Sequence, residues 1–143
     1  MENPNVQRIP TNPQTLGEHI RKVRIERGML QKAVAQILNV DEDSITAWEN
    51  GRSQPQVRFC PKILAFLQYN PFSHDLGTVS GRLRHVRLSM GYSVKLFAPL
   101  LTVDPDTLTK WERGKGKIPI AIQNTISNYW DSLAQFLKIS YSF

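Results

Sequence analysis

Catalytic and metal chemistry requires titratable side chains gathered at short spacing, and this sequence spreads them. His19, His74 and His85 lie far apart, with no cysteine or carboxylate at the spacing of a metal site. No nucleophile sits in a recognisable elbow or beside a base, and no glycine-rich phosphate loop follows a strand. The expectation is a protein that is not an enzyme and holds no metal or cofactor. Cys60, the single cysteine, cannot form an internal disulfide; within "VRFCPKILAF" it reads as a small buried hydrophobe, which fits a reducing compartment. The remaining chemistry is electrostatic. Lysine and arginine number 18 against 12 Asp and Glu, a net charge of +6 with a pI near 9.7. Such a balance suits a polyanionic partner and also many soluble proteins. A dense basic run is "KWERGKGK", Lys110 to Lys117.

Part of that run belongs to a repeated phrase. "VDEDSITAWENG", residues 40–51, recurs as "VDPDTLTKWERG", residues 103–114, a shift of 63. The same shift places Arg21 on Arg84, Val23 on Val86, Arg24 on Arg87, Gly28 on Gly91 and Lys32 on Lys95. It continues through Trp48-Glu49 and Trp111-Glu112 to Gly51 and Gly114. Unrelated stretches match at only a small fraction of positions, so the chain carries an internal duplication of two units, each of roughly 55 residues. Two copies at so long a period indicate tandem small domains and not an array.

The pattern within each unit is helical, and no window alternates with the period of two that a strand needs. In the first unit Thr15 and Glu18 form a capping box that opens a helix ended by Gly28. Leu30 to Leu38 makes a second helix, and Asp41 caps a third that runs through Trp48 and is closed by Gly51. "PKILAFLQY" forms a last helix, halted at Asn70-Pro71. The second unit repeats this order: Thr78 to Met90, Ser93 to Leu101, Asp104 to Trp111, then Ile120 to Leu137. The expected fold is all-α, two small tandem domains of four to five helices over 15–70 and 78–143. Residues 1–14 are expected to form a flexible arm, 71–77 a linker, and the second domain to end in a C-terminal tail. Three changes mark that second domain. Val94 replaces Gln31, Pro99 falls inside the second helix and removes a hydrogen bond, and Gly81 replaces Glu18, which weakens the first turn. No apolar run approaches the ~18 residues of a membrane span, and the N-terminus lacks the pattern of a secretory signal. A cytoplasmic protein with no membrane partner is expected.

Two short helices joined by a tight turn, the second capped by Asp and ended by Gly, outline a helix-turn-helix. "LGEHIRKVRIERGMLQKAVAQILNVDEDSITAWENGRSQP" resembles the Cro/repressor-type helix-turn-helix family, often called Xre-like, which implies a lambda-repressor-like fold. The matching positions run from Ile20-Arg21 and Arg24 through Gly28, Gln31, Ala35 and Val40 to Ile45, Trp48-Glu49 and Gly51. "RFCPKILAFLQYNPF" is similar to the closing helix of many bacterial members. The likeness covers residues 15–72 well and 78 to about 130 less closely.

The resemblance implies double-stranded DNA as partner. In the family, base edges are touched from the first two positions after the N-cap and again one turn later. Here these are Glu42, Asp43, Thr46 and Ala47 in the first unit, and Pro105, Asp106, Thr109 and Lys110 in the second. A carboxylate there accepts from cytosine N4 in the major groove. Equally, Asp43 and Asp106 can serve only to favour the helix N-terminus electrostatically. Ala47 offers a methyl contact to thymine. Gln31 sits where members donate to the DNA backbone, and Lys32, Asn50, Arg52 and Arg58 surround that face. Arg113, Lys115 and Lys117 crowd the same region of the second unit. Basic residues outnumber acidic ones by eight to six over 16–70 and by nine to five over 71–143. Trp48 and Trp111 read as apolar anchors of the third helix. Glu49 and Glu112 end that helix where its dipole disfavours an anion, and the resemblance supplies Arg24 and Arg87 as their partners.

The function expected from these residues is sequence-specific binding of duplex DNA by the helix Asp41–Trp48 in a transcriptional repressor, the second domain adding contacts. One chain then covers two adjacent, non-identical half-sites. The alternative is an antitoxin-like or mobile-element accessory adaptor, whose C-terminal region, "NYWDSLAQFLKISYSF", binds a protein partner. That same tail could also make a homodimer.

Overall fold

The computed structural model describes residues 8–137, with side chains through residue 132. The described residues are all-helical and contain no strand. Eight helices follow in order: α1 (Leu16–Glu26), α2 (Gln31–Leu38), α3 (Glu42–Glu49), α4 (Cys60–Leu67), α5 (Val79–Ser89), α6 (Val94–Phe97), α7 (Pro105–Glu112) and α8 (Ile120–Leu137). Short 3₁₀ turns span Val57–Phe59 and Ala98–Leu101. None of these helices is long and apolar enough to cross a membrane. The start of the expected N-terminal arm and the end of the expected C-terminal tail lie outside the described residues.

The chain separates into two compact units, Met1–Gln56 and Val57–Phe143. In the first, α1 and α2 both pack on α3. Ile20 and Val23, Val34, Ala35 and Leu38, and Ile45 and Trp48 are the buried apolar residues of the three helices. The helix starts follow local chemistry. Thr15 caps α1 by accepting from the Glu18 amide at 3.1 Å, while the Glu18 carboxylate accepts from the Gln14 amide at 2.7 Å. The reciprocal arm of the capping box therefore lands one residue before the cap. Asp41 has the extended backbone of an N-cap but makes no side-chain capping bond. Its counterpart Asp104 does, accepting from the Thr107 amide at 2.9 Å and the Thr107 hydroxyl at 2.7 Å. Those hydrogen bonds, the hydroxyl first, hold the Asp104 carboxyl below its ordinary value. Gly17 permits the closest helix approach: a Cβ there would stand 1.9 Å from the Trp48 carbonyl oxygen.

In the second unit α5 packs on α4, α7 and α8, and α6 on α7. Leu83, Val86, Phe97, Leu101, Leu108 and Trp111 form its core, with Ile118 and Ile126. α4, which the repeat register aligns with the first domain, contacts α5, and Cys60, Ile63, Leu64, Phe66 and Leu67 are all buried. The 71–77 segment is also ordered on this unit. Asn70 Oδ1 accepts from the Phe72 amide at 2.9 Å, and Arg82 Nε donates to the Leu76 carbonyl at 2.8 Å. Pro99 has the expected effect: α6 ends at Phe97 and the chain continues as a 3₁₀ turn. Gly81 has a different meaning from the one its missing carboxylate suggests. A Cβ there would meet the Asp75 carbonyl oxygen at 1.7 Å, so glycine is what lets the 71–77 segment lie on α5. Thr78 still caps that turn, accepting from the Gly81 amide at 3.0 Å.

Two histidines that look scattered in sequence meet here. His74 Nε2 stands 3.1 Å from His85 Nδ1, Phe72 stacks on His74, and Trp130 covers His85 at 5.2 Å between ring centroids. The fold back of 71–77 onto α5 brings them together. His85 is fully buried. Burial, then the charge of His74, pushes its pKa down from 6.5 to about 4. Burial lowers His74 as well, joined by the positive charges of Arg84 and Arg87 and opposed by Glu112.

Since the unfolded chain accepts a proton near pH 6.5 and folded His85 only near 4, the stability tied to neutral His85 is complete above 6.5. It is lost as pH falls from there toward 4, at up to about 1.4 kcal/mol per pH unit. Thermal unfolding of the full chain at pH 7.5 and 5.0 should show the second unit melting lower at acid pH. His85→Gln should flatten that dependence. Identical slopes for the two proteins would show that His85 titrates normally.

Candidate nucleic-acid interface

A helix that reads a partner must be held from behind and free in front. α3 meets both conditions. Ile45, Trp48 and Glu49 are buried on its inner side, while Glu42 and Asp43 are exposed at its start and Asn50 and Arg52 just past its end. Thr46 and Ala47 are half-buried. The anchoring bond is ionic: Arg24 Nε and Nη2 clasp the two Glu49 carboxylate oxygens at 2.8 and 2.7 Å. Arg24 Nη1 also donates to the Met29 carbonyl at 3.0 Å, tying down the turn between α1 and α2. The side chains of this pair are only 5% and 2% exposed.

Gln31, at the first position of α2, is part of the same construction. Its Nε2 donates to Glu49 Oε1 at 3.3 Å, and its Oε1 accepts from the Thr46 hydroxyl at 2.9 Å. The amide therefore has one N–H directed inward and a second available outward. Lys32 beside it is exposed. Arg58 behaves differently: it belongs to the second compact unit and its guanidinium lies 4.8 Å over the Phe59 ring.

The second unit repeats the ionic frame with other residues around it. Arg87 Nε and Nη2 bind Glu112 at 2.8 Å each, and Nη1 donates to the Tyr92 carbonyl at 2.9 Å. Asp106 and Lys110 are exposed on α7, Thr109 is half-buried, and its hydroxyl donates to the Pro105 carbonyl at 2.9 Å. Arg113, Lys115 and Lys117 are all exposed along the loop that follows. Trp48 and Trp111, 5% and 8% exposed, pack into their respective units.

The helix-turn-helix family model matches residues 20–72, from inside α1 through α4. That segment is similar to a helix-turn-helix domain of the Cro/repressor type. The family is a DNA-binding one. Within the domain, α2 and α3 are the two helices of the motif and Asn39-Val40 its turn, with Asn39 in the left-handed conformation at φ 55°. No curated protein and no solved structure matches the chain.

Sequence reasoning missed the inward bonds of Gln31 and the close contact at Gly17. A glutamine eighteen residues before the glutamate it touches carries no local signal, whereas a glycine in the first turn of an otherwise good helix does.

Removing one member of a buried pair strands the other. Arg24→Ala should cost ~3–5 kcal/mol, comparable to the total stability of a unit this small. Arg24→Lys should recover only part, because an ammonium cannot engage both oxygens with the guanidinium geometry. The check is chemical unfolding followed by circular dichroism. Wild-type stability in Arg24→Ala would mean that the pair contributes nothing net.

Proposed function

We propose that the protein is a transcriptional regulator that binds a specific duplex DNA site through α3, and that its second unit is a divergent helix-turn-helix domain adding DNA contacts. The observation that carries this reading is the coincidence of the family match with the solvent-facing start of α3, where Glu42 and Asp43 stand clear of the core. Glu42, Asp43, Thr46 and Ala47 read base edges; the carboxylates accept from cytosine N4. The outward N–H of Gln31, with Lys32, Asn50 and Arg52, contacts phosphates and sets the register. In the second unit Asp106, Thr109 and Lys110 face bases, and Arg113, Lys115 and Lys117 face phosphates. Repression follows from occupancy of a promoter, and the chain acts without catalysis in the cytoplasm.

What supports the second domain is the exact repeat of its ionic frame, Arg87 with Glu112, beneath a rim that is more basic than the first. Since α3 and α7 carry different residues at the reading positions, the site is an asymmetric repeat and one chain covers both halves. The rival arrangement is a dimer whose first units read two arms of a palindrome.

Two measurements test this. Selection from a randomised duplex library should return a defined site, and Glu42→Ala should change the preferred base at one position by roughly 1–3 kcal/mol. Failure of the wild type to enrich any sequence would overturn the regulator reading. Footprinting, with the mass of the complex, should give an asymmetric site holding one chain. A two-fold symmetric footprint holding two chains, with no protection from residues 78–143, would select the dimer.

A further inference from the structure

A cleft of about 290 Å³ opens in the second unit, lined by Arg84, Arg87, Val94, Thr109, Glu112 and Arg113. Shifted back by 63, these positions are Arg21, Arg24, Gln31, Thr46, Glu49 and Asn50. In the first unit the Gln31 amide bridges Thr46 and Glu49 across the corresponding place. Val94 has no group that could do so, and Thr109 keeps only the hydroxyl bond to the carbonyl four residues back, at Pro105, that Thr46 also makes to Glu42. A second difference between the units adds a cation, because Arg113 stands where the first unit has Asn50.

The electrostatics of the cleft follow directly. Glu112 is the acidic group in its lining, and both its oxygens are held by Arg87 at 2.8 Å, so the floor is neutral. The guanidiniums of Arg84 and Arg113 on the rim make no hydrogen bond or ion pair among the described residues. Two uncommitted guanidiniums therefore face a small space, with a threonine hydroxyl beside them that can rotate. The volume lies at the lower end of the ~300–1,000 Å³ range of ligand sites, which restricts the occupant to something small. Planar N–H forks at two points match the oxygens of a doubly charged tetrahedral anion.

We propose that this cleft binds a phosphate group, and that the exchange of Gln31 for Val94 is what opens it. The group can come from a free phosphorylated compound or from a DNA backbone. Either source presents the same oxygens to Arg84 and Arg113. Binding of the free ion does not depend on the chain recognising any DNA sequence.

The test uses the full chain and inorganic phosphate, titrated against chloride at constant ionic strength and followed by the arginine Nε–H resonances. Phosphate should shift Arg84 and Arg113 saturably. Val94→Gln, which installs the bridging amide of the first unit, should weaken binding by about tenfold or more, as should Arg113→Asn. Arg113 is exposed, so its variant keeps the test decisive if Val94→Gln disturbs the core. The absence of a saturable shift in the wild-type chain, or equal affinity in Arg113→Asn, would overturn the proposal. A second titration, on the chain bound to duplex DNA, identifies the source. Loss of the phosphate shift, with a salt slope for DNA binding reduced by about one in Arg113→Asn, assigns the cleft to the backbone. Persistence of the shift in the DNA complex assigns it to a free phosphorylated compound.

Discussion

Everything on the exposed side of α3 depends on one buried contact behind it. The Arg24 guanidinium takes both oxygens of Glu49 and, with its third nitrogen, the carbonyl of Met29. These three bonds join the first helix, the end of the third and the turn that leads into the second. A glutamate at a helix C-terminus is opposed by the backbone dipole, and at 2% side-chain exposure it is cut off from water. The ion pair removes both penalties at once, but only in one geometry, because the fork is planar and rigid. Stability and orientation are therefore supplied by the same atoms. Gly17 completes the constraint from the other side, letting α1 approach the Trp48 carbonyl to a distance that any side chain would forbid.

The second unit shows how much can change around such a frame. The Arg87–Glu112 pair keeps its length and its third bond to the Tyr92 carbonyl. Around it, Gln31 becomes Val94, Ala47 becomes Lys110 and Asn50 becomes Arg113. A helix interrupted by Pro99 is tolerated because Phe97 at the end of α6, and Ala98 and Leu101 in the 3₁₀ turn, still reach the core. The frame fixes where the side chains stand and leaves their chemistry open.

Much of this was legible in the sequence. Helix ends follow from short-range signals, such as the Thr15 and Thr78 caps and the turn at Gly51 and Gly114. Every helix from α1 to α7 except α6, which Pro99 ends four residues early, begins and ends within about two residues of where those signals place it. The arginine and glutamate pairs followed from the family resemblance, and the duplication carried both partners into the second unit. What stayed hidden involves distances between residues that share no motif. Glu18 reaches Gln14, Gln31 reaches Glu49, and the Asp75 carbonyl reaches Gly81. The placement of α4 was hidden for another reason: an almost continuously apolar helix does not declare which neighbour covers it, and here it packs on α5.

The contact between His74 and His85 has a further consequence. With both rings neutral, one proton lies between Nε2 of the first and Nδ1 of the second. If His85 supplies it, His74 must carry its own hydrogen on Nδ1; if His74 supplies it, His85 must carry its own on Nε2. Of the four tautomer combinations open to two independent imidazoles, only two preserve the bond. The segment before α5 and the interior of α5 thus share a single binary variable that leaves every heavy atom in place, and nitrogen chemical shifts of either ring report the state of the other.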